Sequence, residues 1–417
     1  MKKFALFLIC SLFASGMAVA QKSVVDAAEK EIKGFTPNFV NARNNLKPAL
    51  TNPETKDDAR TWFIAGKTEF GYYDQLLGKK QLKQPVNDIE MGNALLDGYN
   101  YFMTALPLDS VKEKDKNGNV KLEKDGRPKV KTKYSKDIIG LIAGHFNDFT
   151  NVASSFYDAK EYNKAYDAWE IFTTLPKNNM LGKLTPEVAD TIIGQIQFFQ
   201  GIAAWQGGDL KKAVNAFAKA RKSGYVKKEA FDYALSCYAG LGDNDGIIAV
   251  AKEAFPIFGS EDPQYISIMI NDMINNQKFD EATALLDKAI EANPNNAEFY
   301  DVKGTLYENK GDMDSAIKFF KQAIEINPEY SKAQFNVGRY YYNLAVKKNE
   351  ALDKNLSAQA FQNVFENELK PLYLQALPHI EKAYKLDSEN SEIKHALRNL
   401  YYLLGDEQKL NEIEKGY

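Results

Sequence analysis

The sequence predicts an all-α protein built from stacked antiparallel helix pairs, and two observations carry this prediction. Small and aromatic residues recur every 34 residues in the C-terminal half of the 417-residue chain. Gly-Asp pairs recur between the segments, at Gly208-Asp209, Gly242-Asp243, Gly311-Asp312 and Gly405-Asp406. Glycine can end one helix in a left-handed conformation, and aspartate can cap the next helix. A fixed period of this length indicates repeats that are stabilised by packing against their neighbours.

The clearest repeat lies between Ala297 and Tyr330. Its small residues let two helices approach to about 8–10 Å, its aromatic residues fill the space around them, and its proline ends the unit. The residues at these positions are Tyr300, Gly304, Tyr307, Ala316, Phe320, Ala323 and Pro328. Place for place, this segment resembles a tetratricopeptide repeat. The resemblance implies a right-handed superhelical solenoid of helix-turn-helix units that binds proteins or peptides.

The register extends in both directions from this repeat. The preceding unit places Ala282, Leu286, Ala289 and Pro294 one period upstream, and weaker units continue toward residue 187. After Tyr330 the matching residues arrive 60 rather than 34 positions later, so an insertion of 26 residues splits this unit. We place the insertion within residues 342–375 and expect it to lengthen two helices into a projecting hairpin.

The chain therefore divides into four predicted parts. Residues 1–20 form a signal peptide, and residues 21–56 form a helical segment that prolines interrupt. Residues 57–186 hold degenerate tetratricopeptide-like units with a basic insertion at 112–136, and residues 187–417 hold the repeat array with its 26-residue insertion. The split-repeat layout is similar to that of envelope tetratricopeptide-repeat proteins of Bacteroidota.

The N-terminus has the order of a secretory signal peptide. Met1-Lys2-Lys3 precedes an apolar run from Phe4 to Phe13, and Ala18-Val19-Ala20 supplies a small-residue cleavage site before Gln21. The apolar run is shorter than the roughly 20 residues that span a bilayer, and no later segment replaces it, so we expect no transmembrane segment in the mature chain. The sequence thus predicts a periplasmic or secreted protein, cleaved after Ala20.

A basic segment runs from Lys112 to Lys136. It contains ten Lys or Arg residues against four Asp or Glu residues, whereas the whole chain carries a formal net charge of −3. The turn signals Asn117-Gly118 and Asp125-Gly126 favour a small loop or hairpin. Two interpretations remain open: a hairpin that contacts an acidic partner, anionic headgroups or cell-wall polymer, and a solvated mobile loop.

In the tetratricopeptide family the first helix of each repeat lines a concave groove at places 2, 5, 9 and 12. Here the resemblance implies a partner-binding face formed by Asn271, Asp301, Thr305, Glu308, Lys332, Phe335, Arg339 and Tyr342. The alternative is that these are ordinary solvent-facing residues. A subset of the family holds C-terminal carboxylates with a Lys, Asn and Arg set. Ser267, Val302 and Asn336 occupy three places of that set, so this clamp is not expected.

The sequence offers no catalytic or metal-binding pattern. His145, His379 and His395 lie in separate helices without ligands at metal spacing, and neither a P-loop nor a dinucleotide fingerprint is present. A weakly acidic chain gives no case for nucleic acid. We therefore expect a non-enzymatic scaffold without cofactors that binds a protein or peptide in the envelope, where it could belong to a membrane-associated complex. The alternatives are envelope attachment through residues 112–136 and an enzyme without a recognisable motif.

Overall fold

The computed structural model describes residues 22–259 and 262–415, so the predicted signal peptide lies outside the described residues. In chain order the helices of the first part are α1 (22–33), α2 (Phe39–Leu46), α3 (Ala59–Gln81), α4 (Asp88–Asp109), α5 (Ser135–Gly144), α6 (Asp148–Asp158), α7 (Tyr162–Thr174), α8 (Asp190–Gln206), α9 (Leu210–Lys222) and α10 (Lys228–Leu241). A short 3-10 helix at Asn179–Leu184 precedes α8.

The helices of the second part are α11 (Asn244–Phe258), α12 (Gln264–Asn275), α13 (Phe279–Ala292), α14 (Ala297–Asn309), α15 (Met313–Ile326), α16 (Ser331–Glu350), α17 (Ala358–Val364), α18 (Lys370–Leu386), α19 (Ser391–Leu404) and α20 (Glu407–Lys415). The described residues form two compact units, the first ending at Leu241 and the second beginning at Gly242. The predicted all-α, tetratricopeptide-like fold is confirmed. No helix in the described ranges is both long enough and apolar enough to cross a bilayer.

The Gly-Asp pairs form the turns that the sequence predicts. Their glycines all have positive φ, at Gly208 (81°), Gly242 (67°), Gly311 (82°) and Gly405 (71°). Each following aspartate accepts a hydrogen bond from the backbone N–H three residues later: Asp209 from Lys212, Asp243 from Gly246, Asp312 from Ser315 and Asp406 from Lys409. Each pair therefore ends one helix and caps the next.

Glycines on the first helix of a pair face large side chains on the second. A Cβ atom added at Gly66, Gly201, Gly304 or Gly338 would lie less than 3 Å from the side chain of Phe102, Phe217, Phe320 or Ile380, respectively. These four partners are themselves almost fully buried. Only glycine permits this approach, so the same contact sets the distance between the helices in α3/α4, α8/α9, α14/α15 and α16/α18.

In the second unit, the insertion adds length to one helix pair. Helix α16 has 20 residues, compared with 13 in α14. Its partner runs from α17 through a π-helical turn at Phe365–Leu369 into α18, and the Phe365 ring lies 6.5 Å from that of Tyr373. Residues 351–357 join the two helices.

In the first unit, residues 111–133 form a small β-structure that we call the basic module. Strands β1 (Val111–Lys112) and β2 (Val130–Lys131) are antiparallel, and isolated bridges pair Lys114 with Val120 and Leu122 with Pro128. Gly118 and Gly126 both have positive φ at the two turns. The segment is a hairpin-like insertion, and its contact with a partner stays a prediction.

Candidate functional site

A groove in the second unit lies between the first helices of neighbouring pairs. We call it the polar groove; its volume is about 450 Å³. Helices α14 and α16 form most of its wall, and the N-terminal end of α19 closes it. The lining residues are Thr305, Ser331, Lys332, Phe335, Asn336, Arg339, Asp387, Asn390, Glu392 and Ile393. All but Phe335 and Ile393 are polar or charged, so the groove is suited to hydrogen bonds and ion pairs.

A buried carboxylate lies beside this groove. The Asp301 side chain on α14 has no solvent exposure, and its Oδ1 accepts a hydrogen bond of 2.7 Å from Asn336 Nδ2. Its Oδ2 accepts no hydrogen bond and lies 3.6 Å from Lys332 Nζ. Burial raises the pKa of Asp301, and the nearby Lys332 ammonium opposes that rise. A buried carboxylate that contacts Lys332 and Asn336 therefore lies directly beside the groove.

The two cations of the polar groove are each held by a carboxylate. Arg339 Nη2 lies 2.7 Å from Glu308 Oε2 and also donates to Asn336 Oδ1 at 3.3 Å. The Lys332 side chain is 62 % exposed, and Asp301 is its only ion-pair partner among the described residues. Lys332 is therefore free to move into solvent if another cation reaches Asp301.

A second groove lies at the corresponding place in the first unit, between α6 and α8. We call it the aromatic groove; its volume is about 340 Å³. The Trp169 ring forms its floor, 6.0 Å from the Phe199 ring and 6.1 Å from that of Tyr157. The lining residues are Thr150, Asn151, Ser154, Tyr157, Asp158, Trp169, Ile196, Phe199 and Ile202. Its surface is mainly apolar and aromatic.

Both grooves lie on the face formed by the first helices of the pairs, which is the binding face of the family that the sequence resembles. The family model for the tetratricopeptide repeat matches residues 297–330, which form α14, α15 and the turn between them. Residues 297–330 are a tetratricopeptide repeat, within an all-α chain of tetratricopeptide-like fold.

Individual proteins match only part of this chain. The chain is 29% identical over 133 residues to the protein O-mannosyl-transferase TMTC3 of Homo sapiens, covering 32% of this chain and 13% of that protein. It is 41% identical over 58 residues to the uncharacterized protein MJ0572 of Methanocaldococcus jannaschii, covering 12% of this chain and 67% of that protein. The chain thus spans only about an eighth of the mannosyl-transferase that it matches.

Among solved structures, the chain is similar to TTC0263, a thermophilic tetratricopeptide-repeat protein of Thermus thermophilus. The TM-score is 0.34 at 14% sequence identity, covering 50% of this chain and 99% of that chain. A likeness at this level carries no argument about function. The function of this chain is therefore inferred from its own two grooves.

The structure brings six of the eight expected binding-face residues together at or beside the polar groove, Asp301 among them. Thr305, Lys332, Phe335 and Arg339 line it, and Glu308 holds Arg339. Asp301 and Phe335, expected at exposed places, are buried at 0 % and 8 % exposure. The next repeat explains the burial of Asp301, because Lys332 and Asn336 of α16 pack over it.

The other two expected residues lie outside the polar groove. Asn271 is exposed on α12, and Tyr342 packs in the lengthened hairpin with its ring 5.7 Å from that of Tyr373. The sequence analysis missed the contribution of α19, whose Glu392 and Ile393 close the groove. The 26-residue insertion separates these residues from α16 in sequence. Only the repeat spacing that resumes after the insertion could have predicted that they lie at the groove.

The described residues do not suggest a chemical centre. Within residues 22–259 and 262–415, no three His, Cys, Asp or Glu side chains are grouped so that they could hold a metal ion. His145 follows the last residue of α5, whereas His379 and His395 lie in α18 and α19. His145 Nδ1 lies 3.0 Å from Asp148 Oδ2, and His379 Nδ1 lies 2.9 Å from Gln334 Oε1, which are contacts within the helix packing.

Proposed function

We propose that this protein is a non-enzymatic scaffold whose polar groove binds a segment of a partner protein. The observation that carries the proposal is the buried Asp301 carboxylate, whose charge is balanced by the exposed Lys332 ammonium, 3.6 Å from its Oδ2. Burying a carboxylate without full hydrogen bonding lowers the stability of the fold. A feature that costs stability and lies beside a groove on the binding face of a repeat is typical of a recognition site.

The chemistry of the groove favours a segment with a basic side chain. Besides Asp301, the carboxylates of Asp387 and Glu392 lie at the groove, whereas its two cations already contact carboxylates. A lysine or arginine of the partner would replace Lys332 beside Asp301, and Lys332 would turn toward solvent. The apolar side chains of Phe335 and Ile393 would contact an aliphatic residue of the same segment.

The first experiment identifies the segment by photo-crosslinking. A photoreactive amino acid at Asn390, an exposed position on the groove, is compared with one at Lys318 on α15. We expect mass spectrometry to find crosslinked segments at Asn390 that contain Lys or Arg beside an aliphatic residue. Crosslinks of equal yield and identity at the two positions would contradict binding in the groove.

The second experiment measures the affinity of that segment as a synthetic peptide by fluorescence anisotropy. Asp301→Asn should weaken binding about tenfold, because it removes the charge that receives the basic side chain. Lys332→Glu should strengthen binding, because it removes the competing ammonium and adds a carboxylate. Lys318→Glu is the matched control, since it changes the net charge equally away from the groove. Weaker binding in Lys332→Glu would show that the groove prefers acidic segments.

We also propose that the scaffold acts after export, in the periplasm or outside the cell, on a partner in the envelope. The support is the order of the first twenty residues: lysines, an apolar run and Ala18-Val19-Ala20. Mass spectrometry of the protein recovered from cells should find Gln21 as the first residue. An N-terminus at Met1 in a cytoplasmic fraction would remove this part of the proposal and leave the groove unaffected.

A further inference from the structure

The basic module is an ordered element in which three short strands each pair with the other two. The backbone N–H of Glu113 donates to Lys129 O (2.8 Å), that of Lys129 donates to Lys121 O (2.7 Å), and that of Lys121 donates to Glu113 O (2.9 Å). At Glu113, Lys121 and Lys129 this ring of hydrogen bonds joins the backbones of all three segments.

The module is fixed to the helices by Asp109, at the end of α4. This carboxylate accepts backbone hydrogen bonds from Lys133 (3.0 Å), Tyr134 (2.8 Å) and Ser135 (2.8 Å). These hydrogen bonds lower the pKa of Asp109 against the opposing effect of burial. The base of the module is therefore held on the first unit, and its surface is presented in a defined direction.

Two of the four carboxylates of the module, Glu113 and Asp125, form ion pairs within it. Glu113 lies between Lys121 (3.7 Å) and Lys129 (3.8 Å), and Asp125 lies 2.6 Å from Arg127. Asp115 accepts hydrogen bonds from two backbone N–H groups of its own turn. Five exposed lysines have no ion-pair partner within the described chain: Lys112, Lys114, Lys116, Lys124 and Lys131. The outer surface of the module is therefore strongly positive.

Aliphatic side chains are exposed beside these lysines. Val111, Val120, Leu122 and Val130 have exposed fractions of 63 %, 38 %, 62 % and 47 %. The strand register places Lys112 opposite Val130 and Lys114 opposite Val120. Lysine and valine side chains therefore stand next to each other across the strands on the exposed surface of the module.

We propose that the basic module binds the surface of an anionic lipid membrane. Lysines near such a surface are attracted to its headgroups, and aliphatic side chains gain by entering the boundary between headgroups and acyl chains. An anionic polymer in water would attract the lysines but would offer no apolar phase to Leu122 and Val120. The exposed aliphatic residues therefore favour lipid over polymer as the partner.

The test is co-flotation of the full chain with vesicles of phosphatidylcholine alone or mixed with phosphatidylglycerol. The chain should bind the mixed vesicles and bind more weakly as salt rises. Lys114→Gln/Lys116→Gln/Lys124→Gln should reduce this binding about tenfold or more. The matched control, Lys211→Gln/Lys288→Gln/Lys318→Gln, changes the net charge equally outside the module and should bind as the unaltered chain does. Equal losses in the two triple variants would overturn the proposal.

The aliphatic contribution is tested by Val120→Thr/Leu122→Thr, which keeps strand-forming residues at exposed positions. This variant should bind at low salt and detach at a salt concentration at which the unaltered chain remains bound. Val226→Thr, at an exposed valine outside the module, is its control. If the double variant matches the unaltered chain at every salt concentration, and heparin binds the module as well as vesicles do, the module is a polyanion site and the lipid proposal is wrong.

A local probe separates the module from the apolar N-terminal segment, which is present in every variant. Leu122→Cys in a Cys10→Ser chain is labelled with the environment-sensitive dye NBD. Cys237 should not react, because it is buried and burial raises its pKa to about 11. We expect a blue shift at Leu122→Cys with phosphatidylglycerol vesicles and none at Lys318→Cys. No shift at either position would show that the module does not enter the membrane boundary.

Discussion

The polar groove and the aromatic groove occupy the same place in the repeat but offer opposite chemistry. Both lie between the first helices of neighbouring pairs, one in each unit. The polar groove has a buried carboxylate beside two cations, whereas the aromatic groove has Trp169 beneath Phe199 and Tyr157. The repeat therefore fixes where a groove forms, and the residues between the repeat positions decide what it can bind.

The shared part of the two grooves is the glycine contact beneath them. Gly201 approaches the Phe217 ring in the first unit, and Gly304 approaches the Phe320 ring in the second. These contacts set the spacing of the helices without reaching the groove surface, since both phenylalanines are buried. We call these buried glycine–phenylalanine contacts the framework of a groove. Substitutions in the framework and substitutions of the residues that line the groove therefore test separate features.

The largest effect is expected from the framework. Phe217→Ala and Phe320→Ala should each lower the free energy of unfolding by about 3–5 kcal/mol, because a large buried ring leaves a cavity. Urea unfolding followed by circular dichroism measures the loss. Exposed Phe361→Ala is the control and should change stability by less than about 1 kcal/mol. A small loss at only one of the two buried positions would show that the frameworks of the two grooves differ.

The next largest effect is expected from the residues that line the two grooves. Phe199, which is 37 % exposed, should contribute to binding of the apolar dye 1-anilinonaphthalene-8-sulfonate, so Phe199→Ala should weaken dye binding about tenfold. Lys332→Gln should leave dye binding at Phe199 unchanged, because Lys332 lines the polar groove and not the aromatic groove. Fluorescence titration measures both. If Lys332→Gln weakens dye binding more than Phe199→Ala does, the proposed difference in chemistry between the two grooves is wrong.

Asp301→Asn tests the polar groove through stability and pH. Because burial raises the folded-state pKa of Asp301, the ionised carboxylate disfavours folding above that pKa, and protonation relieves this effect as pH falls through it. The variant should therefore be more stable than the unaltered chain at neutral pH, with the difference shrinking in acid. Thermal unfolding across pH measures it, with exposed Asp314→Asn as control. A loss of stability at neutral pH would mean that the ion pair with Lys332 outweighs burial.

The smallest effect concerns two turns that lack glycine. Lys160 in the first unit and Gln277 in the second have φ of 63° and 58°, in the region that favours glycine. Lys160→Gly and Gln277→Gly should each raise the free energy of unfolding by about 1 kcal/mol. Gly311→Ala should lower it by a similar amount. Denaturant unfolding distinguishes these signs, and unequal gains at the two turns would indicate a contact specific to one unit.

Much of the framework could be predicted from the sequence, because its residues act locally or at a fixed spacing. The Gly-Asp turns need only a left-handed glycine and a capping carboxylate, which are adjacent in the chain. The contact of Gly304 with Phe320 follows from the repeat period. Six of the eight expected binding-face residues come together at or beside the polar groove for the same reason.

The remaining features depend on neighbours that the period does not specify. The burial of Asp301 arises because Lys332 and Asn336 of the next repeat cover it. The aromatic groove was missed because α8 is apolar on several sides, so its pattern does not show that Phe199 and Ile196 face a groove. The ring of strands in the basic module results from pairing between three segments, which two turn signals alone do not determine.

The insertion between α16 and α18 shows where this chain can accept new sequence. The contact of Gly338 with Ile380 is kept although the insertion separates the two residues, and the added length lies beyond it. The connecting residues 351–357 are mostly exposed. A fluorescent protein or an affinity domain placed in this loop would therefore be carried at the tip of the lengthened hairpin, beyond the contact that spaces its helices, and would give an internal reporter that leaves both chain ends untouched.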